Sequence, residues 1–413
     1  MKLDKILTTL ATLLLMCVGT YAQTDSLRLR FVYEGTVRDA VTGKVLQYVG
    51  VSVPGRNFAT VTNVDGDFII KSDESASELT FSLLGYKSLT LPVPDEPGTR
   101  MRVSMAPQSL TLHEAMIISA DPYSLVDEAI KRIPVNYSLA PELHRSFYRE
   151  TVQKRQKYVY ISEAVSDIYK TSYAEDVWRD NVSIDKSRVL LSQKASDTLT
   201  MKVLGGPTQC IICDIVKSPR ILLDKYELAH YELTMDSPTT IGGKLQFVVN
   251  LAPREIVPYA LFYGKIYIDQ QSLAFTRFEL FTDMSDEVKA TQAMLVRKPI
   301  GLKFKPREMS ITIDYKTEGD ITRMSYVRTV FRFNCDWRKR LISTSFTAIN
   351  EMVVTERMEK AVKIPHSESF RQQKALADVT EMYFDPDFWE DYNIIEPSES
   401  LEHAITRLKK QQD

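Results

Sequence analysis

The chain has 413 residues, enough for two or three domains. Apolar residues make up 44% and charged residues 26%, a globular balance that excludes a disordered chain. Lys and Arg (52) nearly cancel Asp and Glu (54), so no broad basic field invites nucleic acid, and 20 Tyr with 17 Phe against 15 Gly point to sheet rather than to a glycine-rich nucleotide-binding enzyme.

Lys2 and Lys5 precede an almost continuous apolar run, Ile6 to Val18, and Thr20 and Ala22 stand where a signal peptidase reads small residues. Residues 1–22 therefore read as a secretory signal peptide cut before Gln23. The mature chain is then expected in the periplasm or at the periplasmic face of an outer membrane. An uncleaved anchor is the competing reading, although the run is short of the ~20 residues that a spanning helix needs. Cys17 raises a lipoprotein, but Leu15-Met16 before it and Val18 after it lack the small and polar residues of such a site. No later stretch is long and apolar enough to span.

Residues 30–107 read as short strands punctuated by turns. Phe31–Arg38 is followed by Asp39-Ala40-Val41-Thr42-Gly43, and Val49, Val51 and Val53 alternate up to Pro54-Gly55. Ala59–Thr62 is expected to meet Phe68–Ile70 as a hairpin across Asn63-Val64-Asp65-Gly66. Leu79, Phe81 and Leu83, then Leu89, Leu91 and Val93, then Met101, Val103 and Met105 complete about seven strands, which indicates a two-sheet sandwich. Gly35-x-Val37-x-Asp39-x-x-Thr42-Gly43-x-x-Leu46, Thr62-Asn63-x-Asp65-Gly66-x-Phe68 and Leu79-x-Phe81-Ser82-x-x-Gly85-Tyr86 resemble the carboxypeptidase regulatory-like domain. That domain is a transthyretin-like sandwich common in envelope proteins of Bacteroidota-type bacteria. The resemblance implies turn and core roles for these residues and no chemistry.

No enzyme signature accompanies the sandwich. None of His113, His144, His230, His366 and His403 has Glu three residues later, and His-Glu-x-x-His, Gly-x-Ser-x-Gly and the phosphate loop are missing from the sequence. No catalytic, metal-binding or cofactor-binding residue is assigned, and the chain is not expected to be an enzyme. Cys210-Ile-Ile-Cys213 has C-x-x-C spacing, but a zinc site needs two further ligands and a thioredoxin-like pair needs a βαβ setting. Buried apolar cysteines and a structural disulfide are the two readings carried forward.

Residues 108–142 read as a linker with one helix, where Leu125, Val126, Ala129, Ile130 and Ile133 recur at helical spacing up to Pro134. Residues 143–395 return to long strands: Ser146–Lys154, Tyr158–Tyr169, Leu245–Leu251, Phe262–Ile268, Ala274–Leu280, Met309–Tyr315, Thr322–Phe333 and Ile342–Val354. They predict one large curved antiparallel sheet, half-barrel-like, with helical insertions at Asp197–Lys217 and Asp286–Val296. Residues 396–413 close the chain as a helix capped by Ser398, with Leu401, Ala404, Ile405 and Leu408 as its apolar stripe. Tyr263-Gly264-Lys265-Ile266-Tyr267-Ile268-Asp269, followed by Ser272 to Glu279, resembles the LolA-like half-barrels, whose concave face shelters acyl chains. Tyr160–Tyr169, Phe333–Leu341 and Phe388-Trp389-x-x-Tyr392-Asn393-Ile394-Ile395 resemble an uncharacterised family that pairs such a sheet with the sandwich. These resemblances imply architecture and no mechanism.

Strand alternation places Phe262, Ile266 and Ile268 on one face and Tyr263, Lys265 and Tyr267 on the other, while Leu245, Phe247, Val249 and Leu251 share a face. The two apolar sets are expected to lie together under Ile211, Ile212, Ile215 and Val216. Phe247, Val249, Phe262, Ile266, Ile211 and Ile215 are therefore the candidate ligand groove. Trp337-Arg338-Lys339-Arg340, at a hairpin tip, is the candidate contact for an anion or a partner. Glu163 and Asp167 share a strand face and are read as structural, although paired carboxylates also serve glycoside hydrolysis. Leu376–Tyr392 is expected to close across the sheet. The function expected is that of a non-enzymatic envelope binding, carrier or adaptor protein for an amphiphile, such as a lipid, or for an outer-membrane protein. An assembly factor working with outer-membrane proteins is the alternative, and a glycan or peptide hydrolase is the third reading.

Overall fold

The computed structural model describes residues 31–108, 121–194, 202–203, 206–297, 300–337, 343–358, 360–370, 376, 389 and 392–411. The N-terminal unit contains β1 (Phe31–Asp39), β2 (Gly50–Ser52), β3 (Ala59–Val61), β4 (Asp67–Ser72), β5 (Glu78–Ser82), β6 (Leu89–Pro92) and β7 (Met101–Met105). They form a three-stranded sheet in the order β4-β1-β7 and a four-stranded sheet in the order β3-β2-β5-β6. Alternation drives the packing: Met101, Val103 and Met105 point inward on β7, as Val37, Val51, Phe68, Ile70 and Phe81 do on their strands. Phe68 and Phe81 meet edge-to-face at 5.4 Å. Gly35 is required where it stands, because a side chain there would run into the Met101 carbonyl and the Phe68 ring.

One local expectation changes. Ala59–Thr62 and Phe68–Ile70 are not hairpin partners, since β3 pairs with β2 and β4 with β1. Asn63–Gly66 is instead the corner that carries the chain between sheets. Its chemistry is that of a tight turn: the Asn63 side-chain oxygen accepts the N–H groups of Asp65 and Asp67, both at 2.9 Å, and Gly66 takes φ 79°. Such a turn fixes local geometry but not which sheet each arm joins.

The second unit starts with α1 (Pro122–Lys131) and α2 (Ile133–Asn136). The single helix expected here is cut at Arg132, and Pro134 falls in the first turn of α2, where a missing N–H costs nothing. There follow β8 (Glu142–Lys154), β9 (Lys157–Lys170), β10 (Asn181–Leu191), β11 (Lys202–Val203), α3 (Pro207–Ile212) and α4 (Lys225–Leu228). Next come β12 (Tyr231–Ile241), β13 (Lys244–Pro253), β14 (Phe262–Asp269), β15 (Phe275–Thr282), α5 (Glu287–Met294) and β16 (Leu295–Arg297). Then β17 (Leu302–Glu318), β18 (Ile321–Trp337), β19 (Thr344–Arg357) and α6 (Glu399–Lys409) complete the described elements. Ten strands make one open, curved antiparallel sheet in the order β10-β9-β8-β19-β18-β17-β15-β14-β13-β12, and β11 pairs with β16 apart from it.

Each strand divides its side chains between two faces. On the helix-covered face, Tyr148, Ala164, Val249, Ile266, Phe278 and Phe331 pack with Val126, Ala129, Ile211, Ile215 and Met294 of the helical segments. On the opposite face, Phe147, Val165, Tyr326 and Val353 pack with Val61 of the sandwich and with Ile394 and Ile395 of the C-terminal segment. The apolar stripe of α6 covers Ile161 and Leu190 on the same side.

A buried ionic network pins each layer. Asp214, just beyond α3, is fully buried, pairs with Lys170, and accepts the hydroxyls of Tyr173 (2.9 Å) and Tyr315 (2.8 Å). Lys217 next to it reaches Asp180 at 2.5 Å. On the sandwich side, Glu163 is held between Arg149 (2.6 Å) and Arg188 (2.5 Å), and Arg149 also donates to the Ile395 carbonyl at 2.8 Å. Burial pushes both carboxyls up, but the facing cations more than offset it and hold Asp214 and Glu163 below the usual carboxylate range.

Asp214→Asn leaves Lys170 buried without its counter-charge and is expected to cost about 3–5 kcal/mol in urea unfolding at pH 7. Because Asp214 and Glu163 titrate lower in the folded chain, the stability they contribute is in place above the ordinary carboxylate value of about 4 and is lost as the pH falls below it. Wild-type protein should therefore lose more stability between pH 7 and pH 3 than Asp214→Asn does; equal losses would contradict the assignment.

Candidate functional site

The six residues expected to form a groove all belong to the apolar layer of the helix-covered face, where α3, with Ile211, packs against β10 and β19, while Val249 and Ile266 stand on β13 and β14. Val249 and Ile266 are 0% exposed, Ile211 is 2% and Ile215 is 1% exposed, and Phe247 and Phe262 are half-buried against the same cluster. Val249 and Ile266 are directly paired across β13 and β14. Near-zero exposure is the packing of core side chains. Cys210 and Cys213 lie in this layer as free, buried thiols; burial pushes Cys213 up to about 12 and Cys210 well above its ordinary value. Thiols raised in this way are packing groups, not nucleophiles.

The other singled-out residues separate. Trp337 ends β18, paired with Leu302, while Arg338, Lys339 and Arg340 lie outside the described residues. Glu163 is the buried carboxylate already placed between two arginines, and Asp167 accepts Arg145 at 3.0 Å. Both are tied into the framework of the sandwich-side face. Of the segment Leu376–Tyr392, Leu376 is buried in the large core and Trp389 meets Phe147 edge-on at 5.5 Å.

What the sequence reading missed lies where the two units face each other. The outward positions of the four-stranded sheet are small: Gly50 and Ser52 on β2, Ala59 on β3, Thr80 and Ser82 on β5. They cannot fill the gap to the large sheet, and a cleft of about 300 Å³ remains. Its lining is mostly apolar, and its far wall sets Tyr326, Val353 and Val354 beside a group of paired polar side chains. Arg277 donates to Glu279 (2.8 Å) and Asp314 (2.5 Å), and Thr276 donates to the Gln246 side-chain oxygen at 2.6 Å. Burial raises the Asp314 carboxyl even with Arg277 opposing it. Asp269 caps the turn after β14 by accepting the N–H groups of Gln271 (3.0 Å) and Ser272 (2.8 Å). At one end Tyr48 and Tyr326 stack at 6.1 Å, and the Arg328 guanidinium lies 4.9 Å from the centre of the Tyr48 ring. Burial pushes the Tyr48 hydroxyl up to about 12, assisted by the Glu351 charge. Lys244 and Lys316 are exposed at the rim.

The walls are held at a fixed separation. Gly85 N–H donates to the Thr240 carbonyl at 2.9 Å, and Phe58 bridges to Glu356 of β19. Asn393 accepts the Lys71 N–H at 2.7 Å and returns a bond to the Lys71 carbonyl at 3.0 Å, so the C-terminal segment extends along the edge of β4. Thr60 donates to the Ile394 carbonyl at 2.8 Å.

The fold of the first wall has a family. Residues 33–117 match the CarboxypepD_reg-like domain. No curated protein matches the chain. Among solved structures the chain is similar to an outer membrane lipoprotein-sorting protein domain from Vibrio parahaemolyticus, at 9% identity over 59% of this chain and 95% of that one, with a TM-score of 0.27. It is also similar to a LolA superfamily protein from Nitrosomonas europaea (10% identity, 61% and 99% covered, TM-score 0.22). A DUF1329 family protein from Desulfovibrio piger gives 10% identity, 57% and 94% covered, and a TM-score of 0.23. Likenesses this slight carry no functional argument.

Ile266→Ala is expected to cost about 2–5 kcal/mol in urea unfolding, as a truncation in close-packed core does. Phe247→Ala, at a half-buried position, should cost less. A near-neutral Ile266→Ala would mean that the space around Ile266 is not packed core.

Proposed function

We propose that the chain is a non-enzymatic cell-envelope binding protein in which the regulatory-like sandwich and the curved sheet act as one body and hold a ligand between them. The cleft is the single observation that carries this reading. It has the size of the smaller ligand sites, about 300 Å³, and its two walls are fixed by backbone bonds and by the C-terminal segment. The signal-peptide character of residues 1–22 supports export, with the periplasm or the periplasmic face of an outer membrane as the compartment. No helix among the described residues is long and apolar enough to cross a membrane. An amphiphile held beneath α3, as a carrier would hold it, is less favoured, because the side chains there are spent on core packing.

Native mass spectrometry of protein purified from its own envelope tests the reading against a variant with the cleft filled. Wild-type protein should carry a non-covalent adduct that Ser52→Trp lacks, with the melting temperature of Ser52→Trp close to that of wild type. An adduct retained by Ser52→Trp and lost in Phe247→Ala would move the site to the helix-covered layer. No adduct, together with a melting temperature unmoved by envelope extract, would sink the proposal.

A further inference from the structure

The accessible lining of the cleft narrows the ligand. We infer that the cleft takes a mainly apolar molecule of about ten carbon atoms, held by shape more than by hydrogen bonds, an inference that rests on the cleft being the binding site.

Tyr48, Ala59, Leu83 and Leu84 of the sandwich, with Ile241 and Val354 of the large sheet, line the cleft and are each only partly buried. Apolar side chains facing one another across an interface normally close up, as Val61, Tyr326 and Val353 do in the adjoining cluster. Here the walls are fixed apart by the Gly85–Thr240 bond and the Phe58–Glu356 bridge. The outward positions of the sandwich wall, Gly50 and Ser52 among them, are too short to span the gap. The apolar surface therefore stays in contact with water until a molecule fills the space.

The polar side chains of the cleft do not call for a polar ligand. Gln246, Asp269 and Thr276 are buried and bonded within their own wall. Thr276 donates to Gln246 at 2.6 Å, Gln246 donates to the Lys244 carbonyl at 3.0 Å, and Asp269 accepts the N–H groups of Gln271 and Ser272. Arg277 is paired with Glu279 and Asp314, and Ser325 donates to the Asp314 carbonyl at 3.1 Å. An apolar molecule that enters breaks none of these bonds, so it strands no buried donor or acceptor. A saccharide would shed its own water for little beyond the hydroxyls of Ser52 and Ser82. The exposed charges, Lys244 and Lys316, stand at the rim, where the polar end of a ligand would remain in water.

Volume sets the size. A dry apolar cavity of about 150 Å³ holds one benzene ring, so about 300 Å³ holds two such rings or an alkyl chain of about ten carbons. The site lies on the face of the large sheet opposite the helical layer, whose own interior is filled by packed side chains.

Titration calorimetry with hexanoate, octanoate, decanoate and tetradecanoate, each below its micellar concentration, tests the inference. N-phenyl-1-naphthylamine serves as an uncharged fluorescent probe and cellobiose as the polar control. Affinity should rise about fourfold with each added CH₂ up to about ten carbons and level off before tetradecanoate, while cellobiose does not bind. Methyl NMR should show decanoate shifting Leu83, Leu84, Ile241 and Val354 and leaving Ile211 and Ile266 in place. Ser52→Trp should weaken decanoate and the probe tenfold or more. Should Ser52→Trp fail to fold, Gly50→Leu fills the cleft from the same wall, since an added Cβ there makes only an ordinary 3.5 Å contact with the Ser82 carbonyl. If neither the carboxylates nor the probe bind while the native adduct is still lost in the filled variant, the ligand class is wrong and the site stands. If decanoate binds the filled variant as well as it binds wild type, the site itself is wrong. Affinity that climbs unchecked to tetradecanoate would overturn the size.

Discussion

A ten-stranded open sheet has two faces to keep from water, and here both carry large apolar side chains. Helices alone cannot cover both. Phe147, Val165, Tyr326 and Val353 lie on the face turned away from the helical layer, and they are buried only because the sandwich and the C-terminal segment lie over them. The sandwich is therefore part of the sheet's stability as well as a module joined to it. Removing that cover would expose a contiguous aromatic and aliphatic patch. The apolar character ends part-way along the face. On β14, β15 and β17 the same side presents Lys265, Tyr267, Arg277, Glu279 and Asp314, an ion-paired surface that tolerates water. The sandwich covers the apolar part and overhangs the polar part, and the cleft is that overhang.

Buried charge fixes how the layers meet. Asp214 holds the segment after α3 against β9 and β17 through Lys170, Tyr173 and Tyr315. Glu163 gathers Arg149 and Arg188 on the other side, and Arg149 reaches on to the C-terminal segment. Apolar packing alone would let these segments slide, since one aliphatic contact replaces another at little cost. An ion pair with defined donors does not slide. A guanidinium or ammonium without its carboxylate is expensive in either layer, so each network has one low-energy arrangement.

The strands were legible wherever alternation was strong. β13, β14, β15, β18 and β19 begin within two residues of where Leu245, Phe262, Ala274, Thr322 and Ile342 begin their runs, while β17 starts at Leu302, ahead of the run read from Met309. The two edge strands were not. β12 carries Ser237-Pro238 and a register shift between Asp236 and Thr239, features that an edge strand tolerates and that erase a two-residue period. β10 also shifts register, between Ile184 and Lys186, and exposes much of one side. The helix-covered cluster was legible as a set of residues, because strand period and the apolar run after Gln209 can both be read locally. Its packed character was not, because close packing is a property of the assembled volume.

The cleft had a signal of a different kind. Gly50, Ser52, Thr80 and Ser82 are small residues at outward positions of strands whose inward positions are large, Val51 and Phe81 among them. A sheet face in open water commonly carries long polar or charged side chains, so a run of small ones marks a face that something else approaches. What approaches is set by a second unit nearly 200 residues further along the chain, where Gln246, Thr276, Arg277 and Asp314 pair among themselves and do not reach across. Neither wall contains a motif, and neither is a site alone. The regulatory-like match covers one wall and says nothing of the other, and only where the two surfaces meet do they leave a shared volume, lined by apolar side chains together with the paired polar groups of the large sheet.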